Sequence, residues 1–91
     1  KKFIKMQASE LTGYQIRAAR GALNWSVQKL ADRTGVGTAT IVRYEQTSGI
    51  PKARKDNLTA IRRTFEAAGI EFIGAPDDAP GIRIHGSGSK T

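Results

Sequence analysis

The sequence predicts an all-α domain: a compact bundle of four to five short helices, followed by a short C-terminal β-strand pair or an extended tail. Three observations predict it. The chain has 91 residues, the size of one small domain. Apolar residues recur at helical spacing in four segments, most of them opened by a cap residue or closed by Gly. Only the last part of the chain carries short apolar runs, Glu71–Ile73 and Ile82–Ile84, around a stretch rich in Pro and Asp.

Each element has a local cause. The first helix is expected over Gly13–Leu23, with Thr12 as N-cap and Gln15 completing a capping box: the Thr oxygen takes one orphan N–H and the Gln side chain reaches back to another. Leu11 and Ile16 stand at the staple positions, and Ile16, Ala19 and Leu23 share one face, with Arg17 and Arg20 off that stripe. The second helix starts after Ser26 and runs to Arg33 or Thr34, with Leu30 and Ala31 inward and Gly35 as the stop, because Gly accepts a left-handed backbone at little cost. The third starts after Gly37 and runs to about Gln46, with Ile41 and Tyr44 inward. The fourth is expected over Asn57–Ala68, capped by Asp56 or Asn57, with Leu58, Ile61 and Phe65 on one side and Gly69 at its end. Gly74–Gly81 would turn the chain between the two strands, and Gly86-Ser87-Gly88-Ser89 reads as a flexible end. The expected division is a basic N-terminal segment at 1–10, a helical domain at 11–70 and a strand or tail segment at 71–91.

Composition narrows the function classes. A hydrophobic fraction of 38% argues against full disorder. The absence of Cys excludes disulfides, thiolate metal sites and cysteine chemistry, and fits a reducing, cytoplasmic location. No apolar run approaches the roughly 20 residues that cross a bilayer, and no apolar stretch follows the basic start as in a signal peptide. The chain lacks an initiator Met, which points to a start inside a longer sequence. The net charge is +7, with eight positive and three negative residues in 1–50 and seven and five in 51–91. Such an excess favours polyanionic partners, and it is concentrated in the first half.

That half contains two capped helices joined by only Gly35-Val36-Gly37. Ala31 is small where the helices must approach, Gly35 makes the bend and Val36 plugs the angle. This is the pattern of a helix-turn-helix. Ile16-Arg17-Ala18-Ala19-Arg20, Trp25-Ser26, Lys29-Leu30-Ala31, Gly35-Val36 and Ile41-Val42-Arg43-Tyr44-Glu45 together resemble the lambda-repressor-like, Cro-type helix-turn-helix domains, the XRE family, over about residues 11–70. Leu58–Ile73 also resembles short bacterial members. One position departs: the family often has Gln directly after the second helix's cap, where Val27 stands here and Gln28 follows.

The resemblance implies sequence-specific binding of double-stranded DNA by a transcriptional regulator, most simply a repressor that occupies an operator as a two-fold dimer. It implies that Thr38, Ala39 and Arg43 face base edges, Arg43 toward guanine and Thr38 or Ala39 toward a thymine methyl. It implies phosphate contacts from Ser26, Gln28 and Thr40 and from Lys52, Arg54 and Lys55 in the loop after the motif. Structural roles stand beside these: Ser26 is a cap first, and the basic loop residues also read as solvated surface. The apolar runs near Phe72 and Ile82–Ile84 are a candidate homodimer edge or a strand folded onto its own helices. A protein-interaction adaptor or antitoxin that grips a partner through the helices or the tail is the alternative function. No enzyme pattern competes. Glu66, Glu71, Asp77 and Asp78 read as surface charge, and lone His85 has no ligand set around it. No cofactor, metal, membrane or small-molecule ligand is expected.

Overall fold

The structure, a computed structural model, describes residues 10–86. Residues 1–9 of the expected basic segment and 87–91 of the expected flexible end lie outside them. In chain order come α1 (Gly13–Leu23), α2 (Val27–Thr34), α3 (Thr38–Glu45), α4 (Lys55–Ala67), β1 (Ile70–Ala75) and β2 (Asp78–Ile84). The expected C-terminal strand pair is present as an antiparallel sheet, so the label all-α is corrected, and the described residues hold four helices, without a fifth.

Three helices begin where the sequence places them. Thr12 accepts from the Gln15 N–H, and Gln15 Oε1 accepts from the Thr12 N–H, so the capping box closes in both directions. Asn24 ends α1 in the left-handed region at φ 59°, a conformation Asn tolerates better than most residues. Ser26 caps α2 by accepting from the Lys29 N–H, and Gly35 closes it at φ 82°. Thr34 fastens the following turn: its hydroxyl donates to the Leu30 carbonyl and accepts from the Val36 N–H.

Two boundaries differ from expectation. Helix α4 begins two residues early, at Lys55, with Arg54 as its N-cap and no side-chain cap. Asn57 lies inside the helix, its amide nitrogen donating to the Tyr44 hydroxyl, and Asp56 lies in the first turn. The strands are longer than expected and the turn between them is Pro76–Asp77, with Ala75 opposite Asp78. An irregularity between Ile73 and Ala75 makes this possible. Gly74 sits there at φ +81°, where a Cβ would collide with the Ala79 carbonyl, so only Gly fits.

The core runs through the centre of all these elements: Leu11 and Ile16, Leu30, Ile41 and Tyr44, Leu58, Ile61 and Phe65, then Ile70 and Phe72. The hairpin packs on this core and is pinned to α1. The Gln15 amide nitrogen donates to the carbonyls of Ile73 and Gly81, which are cross-strand partners. One side chain therefore caps a helix and clasps a sheet.

Candidate nucleic-acid interface

The segment between α2 and α3 has the geometry its residues dictate. Ala31 and Val36 are buried, and Gly35 takes the left-handed turn that a side chain would resist. On α3, Ile41, Tyr44 and Glu45 are buried. Thr38, Ala39, Val42 and Arg43 are exposed. At ~100° per residue these four share one side of the helix. The N-cap of α3, Gly37, makes no side-chain cap bond, so the first N–H groups of α3 are not covered by a cap. The Arg43 guanidinium lies over the Tyr44 ring at 5.3 Å, a contact that orients a long side chain without burying it.

The other expected contact residues are spread around this face. Ser26 is exposed and its oxygen already accepts the cap bond, which leaves its O–H free to donate. Gln28 is tied within α2, its amide donating to Asp32 at 2.9 Å. Thr40 is half-buried on the flank of α3. Lys52 is exposed in the loop. Arg54 and Lys55 are exposed too, but they form the N-cap and first residue of α4 rather than loop, and Arg54 stands 3.8 Å from Asp56 in a fully solvated pair. His85 and Arg83, given no role from the sequence, both contact Glu71 across the hairpin. The hydrogen bond from His85 holds the Glu71 carboxyl below its ordinary value; loss of solvation opposes this and Arg83 adds to it.

Sequence reasoning missed how α3 is anchored. Arg20, expected off the apolar stripe of α1, is half-buried. It holds Glu45 with two parallel bonds of 2.8 Å, and its third nitrogen donates to the Trp25 carbonyl. The hydrogen bond to Glu45 raises the Arg20 pKa above its ordinary value; burial works against it and attraction to Glu45 adds to it. Residues 25 apart obey no helical spacing rule, so no local signal marks this pair. Gly13 is the other missed element. Its N–H donates to the Gly49 carbonyl, and a Cβ there would collide with the carbonyls of Tyr44 and Thr47. Trp25 packs against the core as a lid: its ring stacks on Phe65 at 5.7 Å and carries Lys29 and Arg33 over it.

Two helices joined through the sharp turn at Gly35-Val36-Gly37, the second exposing one side that carries an Arg, have the geometry of a helix-turn-helix. A family model described as helix-turn-helix matches residues 16–65, more than half the chain, and the protein belongs to that family in its XRE, lambda-repressor-like form. It is thus a DNA-binding transcription regulator in the general sense. No curated protein matches the chain. Among the described residues no helix is long and apolar enough to cross a membrane, and no cluster of His, Cys, Asp or Glu could hold a metal ion.

Proposed function

We propose that the protein is a repressor that reads the major groove of its operator with α3 and blocks polymerase by occupying the site. The observation that carries this is the exposure of Thr38, Ala39 and Arg43 together on one side of α3, with the opposite side buried. Arg43 supplies the sharpest base contact: a guanidinium bonds guanine O6 and N7 together, for ~1–3 kcal/mol of discrimination. Thr38 and Ala39 offer methyl groups to thymine. Ser26 and the first N–H groups of α3 hold phosphates on either side, with Thr40 on the flank. Lys52, Arg54 and Lys55 attract the backbone from the α4 side and give binding its salt dependence. Gln28 joins them only by releasing Asp32. Residues 11–70 carry the DNA contacts in this reading.

The strand or tail segment 71–91, through its hairpin strands β1 and β2, is the proposed self-association element. Ile84, at the end of β2, is 57% exposed, and a two-stranded sheet has free backbone groups along its outer edges. A two-fold dimer would set two copies of α3 about one helical turn apart, ~34 Å. The same exposed Ile84 favours the second reading, in which the hairpin grips a different protein. The test is titration of a selected operator and of random duplex at two salt concentrations, with the mass in solution measured alongside. Operator preference with a steep salt slope supports repressor-type DNA reading; salt-independent, weak binding to both duplexes overturns it. A monomer mass on the operator and off it overturns the dimer.

A further inference from the structure

Four residues of α3 are exposed: Thr38, Ala39, Val42 and Arg43. Val42 is 43% exposed. At ~100° per residue it lies between Thr38 and Ala39 in angle, at the middle of the open face, whereas Arg43 lies at its edge. Val42 is three residues from Ala39 and four from Thr38, so these side chains are neighbours on the helix surface. Together they form an uncharged, methyl-bearing patch. The neighbouring α2 exposes Gln28, Lys29, Asp32 and Arg33, so solvation alone does not explain the patch. A valine is also a poor choice for an exposed helix position on intrinsic propensity, and its branched side chain is held in one rotamer there.

Two features fix what this patch can meet. Thr38, Ala39 and Val42 are all short, so nothing on the middle of this face keeps the α3 backbone away from a surface it enters. The patch is flanked by the cation Arg43, and the chain carries a net charge of +7, so its partner is an anion with an apolar feature in its recessed floor. In the major groove that feature is the thymine C5-methyl, the one apolar group any base pair displays there. We infer that Val42 is a specificity-determining residue that selects thymine through its methyl group, with Ala39 beside it, at a position next to the guanine read by Arg43. This rests on the reading of α3 as the groove-entering helix.

Substitution of deoxyuridine for thymidine removes that methyl and nothing else. The operator is first obtained by selecting bound duplexes from a random pool. Each thymine is then replaced singly by deoxyuridine, and affinity is measured for the native protein, Val42→Ala and Arg43→Ala. At one or two positions the native protein should lose about fourfold in affinity per methyl removed, and Val42→Ala should show less than a twofold difference at the same position. Val42 is exposed, so the variant keeps the fold, which matching thermal unfolding verifies. If Val42→Ala retains every thymine-to-uracil ratio of the native protein, or the native protein senses no methyl at all, the assignment is overturned. Failure of the underlying reading looks different: Arg43→Ala would then keep the full preference for operator over random duplex.

Discussion

Replacing Arg20 with Met tests how α3 is anchored. Glu45 has 7% of its side chain exposed and Arg20 has 22%, so the two ends of the pair are not equivalent. At an effective dielectric of about 20 and a charge separation of roughly 4 Å, the attraction is about 4 kcal/mol before desolvation is counted. Losing Arg20 strands a buried carboxylate, which costs ~3–5 kcal/mol, and also frees the Trp25 carbonyl. Losing Glu45 is milder. Arg20 keeps its bond to Trp25 and has a path to water, so Glu45→Leu should cost about 1–2 kcal/mol. The double variant replaces both charges with apolar groups and should return to within ~1 kcal/mol of the native protein. Thermal unfolding followed by circular dichroism reads this directly: Arg20→Met should lower Tm by roughly 12–40 °C at ~4–8 °C per kcal/mol for a domain of this size. Because the Arg20 pKa is raised, its contribution is complete below the unfolded value and is lost only as pH rises through the still higher folded one. The Arg20→Met deficit should therefore not change between neutral pH and roughly pH 9. A coupling energy under ~1 kcal/mol in this cycle, or a Glu45→Leu cost above that of Arg20→Met, would refute the reasoning.

Lys55→Ala should weaken operator and random duplex alike and flatten the salt slope by about one unit, whereas Arg43→Ala should weaken the operator far more; equal effects in duplex titrations would remove the base-reading role of Arg43. Gly21 has open space around its missing Cβ, so Gly21→Ala should stabilise by ~0.5–1 kcal/mol in denaturant titration, while Gly13→Ala, aimed at the Tyr44 and Thr47 carbonyls, should destabilise by more than ~2 kcal/mol. The lowered Glu71 pKa, caused first by the hydrogen bond from His85, gives a hairpin contribution present above the unfolded carboxylate value and lost as pH falls through the lower folded one. Hydrogen exchange of the β1 and β2 amides should show that acid loosening in the native protein, less of it in His85→Ala, where Arg83 still acts on Glu71, and none in Glu71→Gln.

Helix positions were legible because their causes are local. Thr12 with Gln15, Ser26 and Gly35 each act within a few residues of themselves, and α1 and α2 fall where those signals place them. The start of α4 was misread because the helix begins at Lys55 without any side-chain cap, so no cap residue marks it, and the cap-like Asn57 lies inside it, bonded to Tyr44. The hairpin turn was overestimated for a related reason. Pro76, Asp77, Asp78 and Pro80 all read as loop, but Gly74 absorbs the irregularity and lets Asp78–Pro80 continue the strand. The exposed side of α3 was likewise legible from the burial of Ile41 and Tyr44 at helical spacing. The ties from Gly13, Gln15 and Arg20 were not, because each joins residues at least 25 apart whose types carry no pairing signal.

The ties from Gly13 and Arg20, together with that from Asn57, share a location, and a separation of effects follows from it; Gln15 holds the hairpin instead. Gly13 meets the carbonyls of Tyr44, Thr47 and Gly49. Arg20 grips Glu45, and Asn57 grips Tyr44. All of them hold the C-terminal end of α3 and the loop behind it, while the exposed side chains of Thr38, Ala39, Val42 and Arg43 lie on the side that none of them touches. These ties therefore act on the buried side of the helix, and recognition is offered on its exposed side. Substituting Thr38, Ala39 or Val42 with another good helix former should change stability by no more than ~0.5 kcal/mol, and Arg43→Ala by no more than ~1 kcal/mol through its ring contact. The same four changes should alter which duplexes are bound. Asn57→Ala should do the reverse. It removes a half-buried hydrogen bond and costs about 1–2 kcal/mol, yet at a temperature where the variant is fully folded its ranking of operator sequences should match that of the native protein. Parallel unfolding and operator selection on these five variants measure both quantities. A change in ranking for Asn57→Ala, or a large stability loss for Thr38 or Val42, would mean that anchoring and reading are not divided along α3 in this way.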